Sequence, residues 1–357
     1  MIKAKKYILE IEPYKQGKSK TGNSSKIIKL SSNENALGSS PKAIAAYLEH
    51  SDKAFRYADG GCLELRNVLA QKYQIDANNI VCGAGSDEII ALLTHAFCDI
   101  GDQVLYSEYG FLMYPISAKR VGAESVIAKE INLTANVDNI LAKISDKTKI
   151  IFLANPNNPT GSYINHNEVE KLIKNTPSNV LIVLDLAYAE FVDNADYPDA
   201  IKLVNQYDNV VMMRTFSKIY GLASLRLGWS YSSAYVADIL NRTRGPFNVS
   251  GAAQYAAVAA VSDDKFIQES KSHNQKWLKI LATEFDKIGI KHYPSVANFI
   301  LIDFLTIDKC QKVNQFLLDN GVILREMSAY NLPSCLRMSI GRDEENLKVV
   351  ELLKDFL

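Results

Sequence analysis

The sequence predicts an α/β protein: a large domain on an open, mainly parallel sheet covered by helices, with a smaller α+β domain. Three observations carry this. The chain has 357 residues, about twice a typical single-domain length. Between about residues 63 and 233, short apolar runs alternate with charged segments of helical period. Those runs are nearly continuous in Val, Ile, Leu and Met, the pattern of strands buried on both faces.

Taken in order, the N-terminal stretch MIKAKKYILEIEPYKQGKSK breaks its apolar runs with charges and lacks the apolar centre of a signal peptide. The segment LELRNVLAQKY (63–73) reads as a helix, as does NEVEKLIKN (167–175). Strands are expected at NIVCG (79–83), QVLYS (103–107), KIIFLA (149–154), NVLIVLD (179–185) and NVVMMR (209–214). After Asn241 the character changes. A helix-rich stretch from Ser250 to about Ile288 precedes PSVANFILIDF, a helix-like KCQKVNQFLLDN and CLRMSIG. The expected division is a large domain over 51–240 and a small one over 241–357. Residues 1–50 are expected to complete the small domain and contribute to a dimer.

Composition removes several function classes. Forty Lys plus Arg balance forty Asp plus Glu, so the net charge is zero. A surface that coats nucleic acid needs an excess of cations to neutralise phosphates. Cys62, Cys82, Cys98, Cys310 and Cys335 are scattered, without metal-ligand spacing, as expected of reduced thiols in a cytoplasmic protein. The longest apolar stretch, 89–100, is interrupted by Thr94, His95 and Asp99 and is too short to cross a bilayer.

In open α/β sheets ligands bind beyond the carboxyl ends of the strands, and the informative polar residues stand there. Strand 149–154 runs into Asn155-Pro-Asn-Asn-Pro-Thr-Gly161, a turn stiffened by proline and glycine that holds Asn158. Strand 179–185 ends at Asp185, followed by Tyr188. Strand 209–214 leads into Thr215, Ser217, Lys218 and, further on, Arg226. Strand 79–83 opens through Gly83, Gly85 and Ser86 into a helix with Asp87 in its first turn. Singly, each has an ordinary explanation: a helix cap, a loop cap, a solvated lysine. A dinucleotide reading of the Gly83 turn asks for an acidic residue about 20 positions on, and Asp102 and Glu108 are poorly placed for it. Together and in this order, they describe a site.

NPNNPTG, then D-x-x-Y, then S-K-x-x-G-L-x-x-x-R-x-G resembles the signature of the fold-type I, pyridoxal 5'-phosphate-dependent aminotransferases. Within that family several segments are similar to the histidinol-phosphate branch. These are Ile11-Glu-Pro-Tyr14 with Gly17-Lys18, Ser32-Asn-Glu-Asn35 with Gly38, Phe55-Arg-Tyr57, Ser107-Glu-Tyr109 with Met113-Tyr114, and 332–341. Ala36 and Ala58 stand where that branch usually has proline, at positions expected near the substrate pocket.

The resemblance implies transamination of L-histidinol phosphate with 2-oxoglutarate, with aromatic amino acids as the alternative substrates. It implies that Lys218 holds the cofactor aldehyde and moves the substrate proton, and that Asp185 pairs with the pyridine nitrogen. Asn158 and Tyr188 would hydrogen-bond the ring oxygen, and Tyr109 would stack on the ring. Gly85, Ser86, Asp87, Thr215, Ser217 and Arg226 would hold the phosphate. Tyr57 would reach the same phosphate from the neighbouring subunit of a homodimer. Arg337 would clamp the substrate carboxylate and Arg325 the distal anion, with Tyr14 and Asn35 as further substrate contacts. A purely non-enzymatic protein would be expected to lack Lys218 or Asp185, and both are present.

Overall fold

A computed structural model describes residues 2–13 and 27–357. Tyr14, Gly17 and Lys18 lie outside the described residues. The large sheet has seven strands: β1 (Ile80–Gly83), β2 (Gln103–Ser107), β3 (Glu124–Ala128), β4 (Thr148–Ala154), β5 (Leu181–Asp185), β6 (Val210–Thr215) and β7 (Gly228–Tyr231). Their order is β1-β7-β6-β5-β4-β2-β3. β3, β2, β4, β5 and β6 pair in parallel, and β7 runs antiparallel between β6 and β1.

The five apolar runs fall on β1, β2, β4, β5 and β6, within two residues of the expected bounds. β3 and β7 were not expected. β3 is an edge strand beginning with an exposed Glu124, and β7 (GWSY) carries too little apolar sequence to show a period.

Among the helices of the large unit are α1 (Pro41–Glu49), α2 (Leu63–Tyr73), α3 (Ser86–Phe97), α4 (Met113–Val121) and α5 (His166–Asn175). α2 occupies the range read from the sequence, and α5 starts one residue earlier, where the Asn165 side chain caps the Glu168 N–H. Helices cover both faces, so alternate strand residues enter different cores. Ile151, Leu153, Ile182, Leu184, Val210 and Met212 join one layer. Ile150, Phe152, Leu181, Val183, Val211 and Met213 join the other. Continuing that second set places Ala154, Asp185 and Thr215 on one face at the strand ends.

α6 (Gly251–Val261) packs on α1 and α2, and Ala253, Ala256, Ala257 and Ala260 enter the first large-sheet core. α7 (Asp264–Lys287), 24 residues and about 36 Å long, connects the cores: Ile267 packs on the large one, and Trp277, Leu281 and Phe285 build the small one. The expected boundary near residue 241 thus falls ahead of a helix that serves the large core.

The small sheet comprises β8 (Lys291–Tyr293), β9 (Phe299–Asp303), β10 (Arg325–Glu326) and β11 (Cys335–Ser339), ordered β10-β11-β9-β8 and antiparallel throughout. Near the N-terminus, Ile28–Lys29 pairs in parallel with Val322–Ile323, tying the early chain to this unit. Among the described residues no helix is long and apolar enough to cross a membrane.

Candidate active site

β4, β5 and β6 are neighbours, so the three loops leaving their carboxyl ends converge on one cavity of about 270 Å³. Ala154, Asp185 and Thr215 line it from the sheet face. Arg325 and Arg337 line it from the small unit. The cavity therefore lies where the large sheet meets the strand that carries Arg337.

Asp185 is 6% exposed. Its Oδ2 accepts from the Tyr114 hydroxyl at 2.7 Å and its Oδ1 from the Ala187 N–H at 3.2 Å. Burial pushes its carboxyl up to about 6, opposed by those two donors. Having lost its proton near pH 6, the buried carboxylate is ionised at neutrality and ready for a cationic partner.

Lys218 faces Asp185 across the cavity, with Nζ 5.7 Å from the centre of the Tyr188 ring and 3.5 Å from the Ser32 carbonyl. Burial first, and then the Arg337 charge, push its amine down to about 8. A lysine so lowered supplies a neutral amine near neutral pH, as carbonyl chemistry and proton transfer both need.

The phosphate end is built at the start of α3. Gly85, at φ +86°, turns the chain into the helix and leaves its first N–H groups facing the cavity, where Ser86 and Asp87 lie. Arg226, held at φ +51°, donates to Ser217 Oγ at 3.2 Å and to Asp87 Oδ2 at 3.1 Å. Its guanidinium lies so close to the turn that a β-carbon on residue 85 would meet Nη2 at 2.4 Å. Gly228 on β7 abuts the same turn, with its hypothetical β-carbon 2.5 Å from the Ser86 nitrogen. Backbone donors, the Thr215 and Ser217 hydroxyls and a planar cation thus converge where a phosphate fits.

On the small unit, β11 carries Arg337, which is 6% exposed. Its Nη1 donates to Asn158 Oδ1 and its Nη2 to the Ser31 carbonyl at 3.2 Å. With Oδ1 so held, Asn158 offers its Nδ2 donor. Arg325, on β10, lines both this cavity and a neighbouring one of about 750 Å³ formed with Glu10–Pro13 and α4.

The structure brings together most of the expected residues and separates others. Tyr109 is half-buried but does not line the cavity. Phe111, two positions on, does and is the aromatic able to stack on a planar ring there. Asn35 is also away from it: its amide donates to the Ile219 carbonyl at 2.8 Å and Ser270 Oγ at 3.0 Å, bracing the residue after Lys218. Ala36 lines a separate small crevice beside Asn35, and Ala58 is not on the cavity of its own chain, so neither departure alters this pocket directly. Tyr57 is 85% exposed and stacks on Phe247 at 4.6 Å, facing away from its own cavity.

Sequence reasoning assigned no role to Phe111, Tyr114 or Asn33, nor to Tyr330, which lines the cavity from the small unit. Phe111 and Tyr114 belong to the aromatic stretch already noted, and Asn33 to Ser32-Asn-Glu-Asn35; their partners lie too far along the chain to be inferred from spacing.

A buried carboxylate, a lysine of lowered basicity, an anion cradle and arginine anchors in one interdomain cleft define an enzyme of group transfer through a phosphorylated aldehyde cofactor. The family description "Aminotransferase class I and II" matches residues 25–353, and the chain belongs to that family. At the level of individual proteins it is similar to histidinol-phosphate aminotransferases. That of Paramagnetospirillum magneticum is 48% identical over 98% of this chain and 97% of its own, and that of Maricaulis maris 46% over the same shares. The solved histidinol-phosphate aminotransferase of Sinorhizobium meliloti, in complex with pyridoxal-5'-phosphate, superposes with a TM-score of 0.88 at 25% identity, covering 93% of this chain and 91% of that one. A Thermus thermophilus aspartate aminotransferase shares the fold over the full length of both chains, with a TM-score of 0.86 at 17% identity. The chain is an aminotransferase.

Proposed function

We infer that this protein transfers the amino group of L-histidinol phosphate to 2-oxoglutarate, giving imidazole acetol phosphate and glutamate, a step of histidine biosynthesis. The observation that carries the chemistry is the convergence of Lys218, Asp185 and Arg337 on one cavity. The substrate is supported by near-half identity to histidinol-phosphate aminotransferases over almost their whole length. Bound in the cavity, pyridoxal 5'-phosphate supplies an electron sink for the carbanion formed at the amino-bearing carbon.

The chain's own residues do the rest. Lys218 Nζ would hold the aldehyde and, once freed by the incoming substrate amine, would take the proton from the substrate carbon and return it on the cofactor side. Its lowered basicity keeps a neutral fraction available for that step. Asp185 holds the ring nitrogen protonated by pairing with it, in a place from which water is excluded. Tyr188 and Asn158 donate to the ring oxygen. Phe111 covers the ring face, and Gly85, Ser86, Asp87, Thr215, Ser217 and Arg226 fix the phosphate.

Arg337 orients the phosphate of histidinol phosphate or the α-carboxylate of glutamate by planar, two-point contact, and Arg325 meets the side-chain carboxylate that glutamate carries in addition. Both amino donors are anionic, so one pair of arginines serves both half-reactions. We further propose a cytoplasmic homodimer with shared sites. Tyr57 at 85%, Phe55 at 78% and Leu63 at 56% exposure are large apolar side chains of the kind a partner covers, and Tyr57 would reach the partner's phosphate cradle.

Stopped-flow absorbance of the holoenzyme tests the substrate. Histidinol phosphate should bleach the visible cofactor band faster than phenylalanine, and glutamate should do so in the other half-reaction. Efficient bleaching by phenylalanine with none by histidinol phosphate would replace this reading with an aromatic aminotransferase. Arg337→Ala should raise KM for both amino donors by about a hundredfold, the cost of losing a buried, charge-assisted pair of hydrogen bonds. An unchanged KM would remove Arg337 from the site.

A further inference from the structure

We propose that Asn33 is a positioning residue that fixes the direction of the Tyr188 hydroxyl proton, and that it is itself held by the strand that carries Arg337. The inference rests on reading the cavity as the pyridoxal phosphate site.

Asn33 is 1% exposed and stands at φ +51°, a left-handed conformation that asparagine tolerates better than most residues. Each polar group it has is engaged. Its backbone N–H donates to Ser339 Oγ at 2.7 Å, and its carbonyl accepts from Asn298 Nδ2 at 3.1 Å. Ser339 Oγ donates in turn to Asn33 Oδ1 at 3.0 Å, and Asn33 Nδ2 lies 3.0 Å from Tyr188 Oη.

The amide stands with Oδ1 toward Ser339, whose hydroxyl accepts the backbone N–H and donates its single proton to Oδ1. The end facing Tyr188 is therefore NH2, which can only donate. Tyr188 Oη must accept that bond, so its own proton is given elsewhere than Asn33. Tyr188 lines the cavity, and with the cofactor in place the acceptor is the ring oxygen. A donor fixed on that oxygen stabilises its anionic form and keeps the pKa of the visible chromophore low.

Ser339 and Arg337 are two residues apart on β11 and share one face of the strand. The Arg337 guanidinium meets Asn158, and the Ser339 hydroxyl meets Asn33. One strand of the small unit therefore sets both the residue that receives the substrate anion and, through Asn33, the direction of the phenol on the large unit.

The test is a pH titration of the visible band of the holoenzyme without substrate. Asn33→Gly keeps the left-handed backbone and removes the amide; it should raise the chromophore pKa by about one pH unit, the scale of losing a well-aimed donor to an anion. In a Tyr188→Phe background the same substitution should produce no further shift, because Asn33 acts only through that hydroxyl. Should Asn33→Gly not fold, Ser339→Ala releases Oδ1 and should shift the pKa in the same direction by less. A Gly variant that titrates like the wild type, or a shift that persists in the Phe background, overturns the inference alone. A wild type that takes up no chromophore overturns the reading of the site and this inference together.

Discussion

The Tyr114 hydroxyl donates to Asp185 Oδ2 at 2.7 Å, although 71 positions separate the two residues and the tyrosine is fully buried against Phe152. Burial raises the Asp185 carboxyl to about 6, and the tyrosine is the largest influence holding it down. Cofactor uptake by the apoprotein should weaken as pH falls through about 6, as the aspartate takes up a proton and loses its attraction for the ring nitrogen. Tyr114→Phe removes a donor to the charged form, so this midpoint should move up by about one pH unit, with binding about twofold weaker at pH 7 and approaching tenfold weaker below pH 6. Comparing the two proteins cancels the ligand's own titration. Identical midpoints would show that the hydrogen bond does not tune Asp185.

Lys218 should cost the apoprotein stability. Its folded-state amine titrates near 8 against 10.5 for the unconstrained group, so the folded form is the poorer proton binder. Below pH 8 it is protonated in both states and carries the full penalty of a buried cation; between about 8 and 10.5 the penalty fades as the folded amine becomes neutral. Lys218→Met should therefore raise the apoprotein's Tm by several degrees at pH 7, with the gain shrinking as pH rises through that window. Thermal melts from pH 6 to 10 decide it. A variant that is no more stable at pH 7 would deny the strain.

Two glycines of the same backbone conformation separate strain from site chemistry. Gly85 and Gly101 stand at φ +86° and +88°, but a β-carbon at 85 would meet the Arg226 guanidinium whereas one at 101 meets nothing within 4 Å. Gly101→Ala should cost about 1 kcal/mol of stability for the left-handed backbone and leave cofactor affinity unchanged. Gly85→Ala should carry a similar backbone cost and also weaken cofactor binding at least tenfold, because the arginine must move. Equal affinities in the two variants would take the Gly85 turn out of the phosphate cradle.

The proposed dimer with shared sites makes a prediction of its own. Lys218→Ala should be inactive, and Tyr57→Ala should bind cofactor about tenfold more weakly through loss of one phosphate contact. In a mixed dimer, one site collects both lesions and the other has neither. Co-refolding the two variants at equal concentration should therefore restore activity at limiting cofactor, above that of either parent. Absence of any gain, with mixed dimers demonstrated by mass, would place Tyr57 outside the partner's site.

Much of the fold was legible because burial on both faces leaves a run of apolar residues that needs no partner to be recognised. β4, β5 and β6 announce themselves in this way, and the polar residues at or just beyond their ends, Asn158, Asp185 and Lys218, line the cavity. β7 was not legible, since GWSY lacks a period and takes its place by pairing between β1 and β6. In the stretch that suggested Tyr109, it is Phe111, two residues on, that lines the cavity, because a loop has no period to say which aromatic turns inward. Asn35 shows the opposite case: a conspicuous motif residue whose side chain is spent on Ile219 and Ser270.

The sequence by itself determined the fold class, the order of the strand ends and hence which polar residues belong to one crevice, because these follow from local period and from the rule that parallel strands present their carboxyl ends together. Only the tertiary structure decided the partners that tune them. Tyr114 reaches Asp185, Arg226 closes over Gly85, and Asn33 meets Ser339, 306 residues away. Such pairs are chosen by how the helices and the small unit pack on the sheet, where hydrogen-bond direction and burial, not spacing along the chain, set each group's proton.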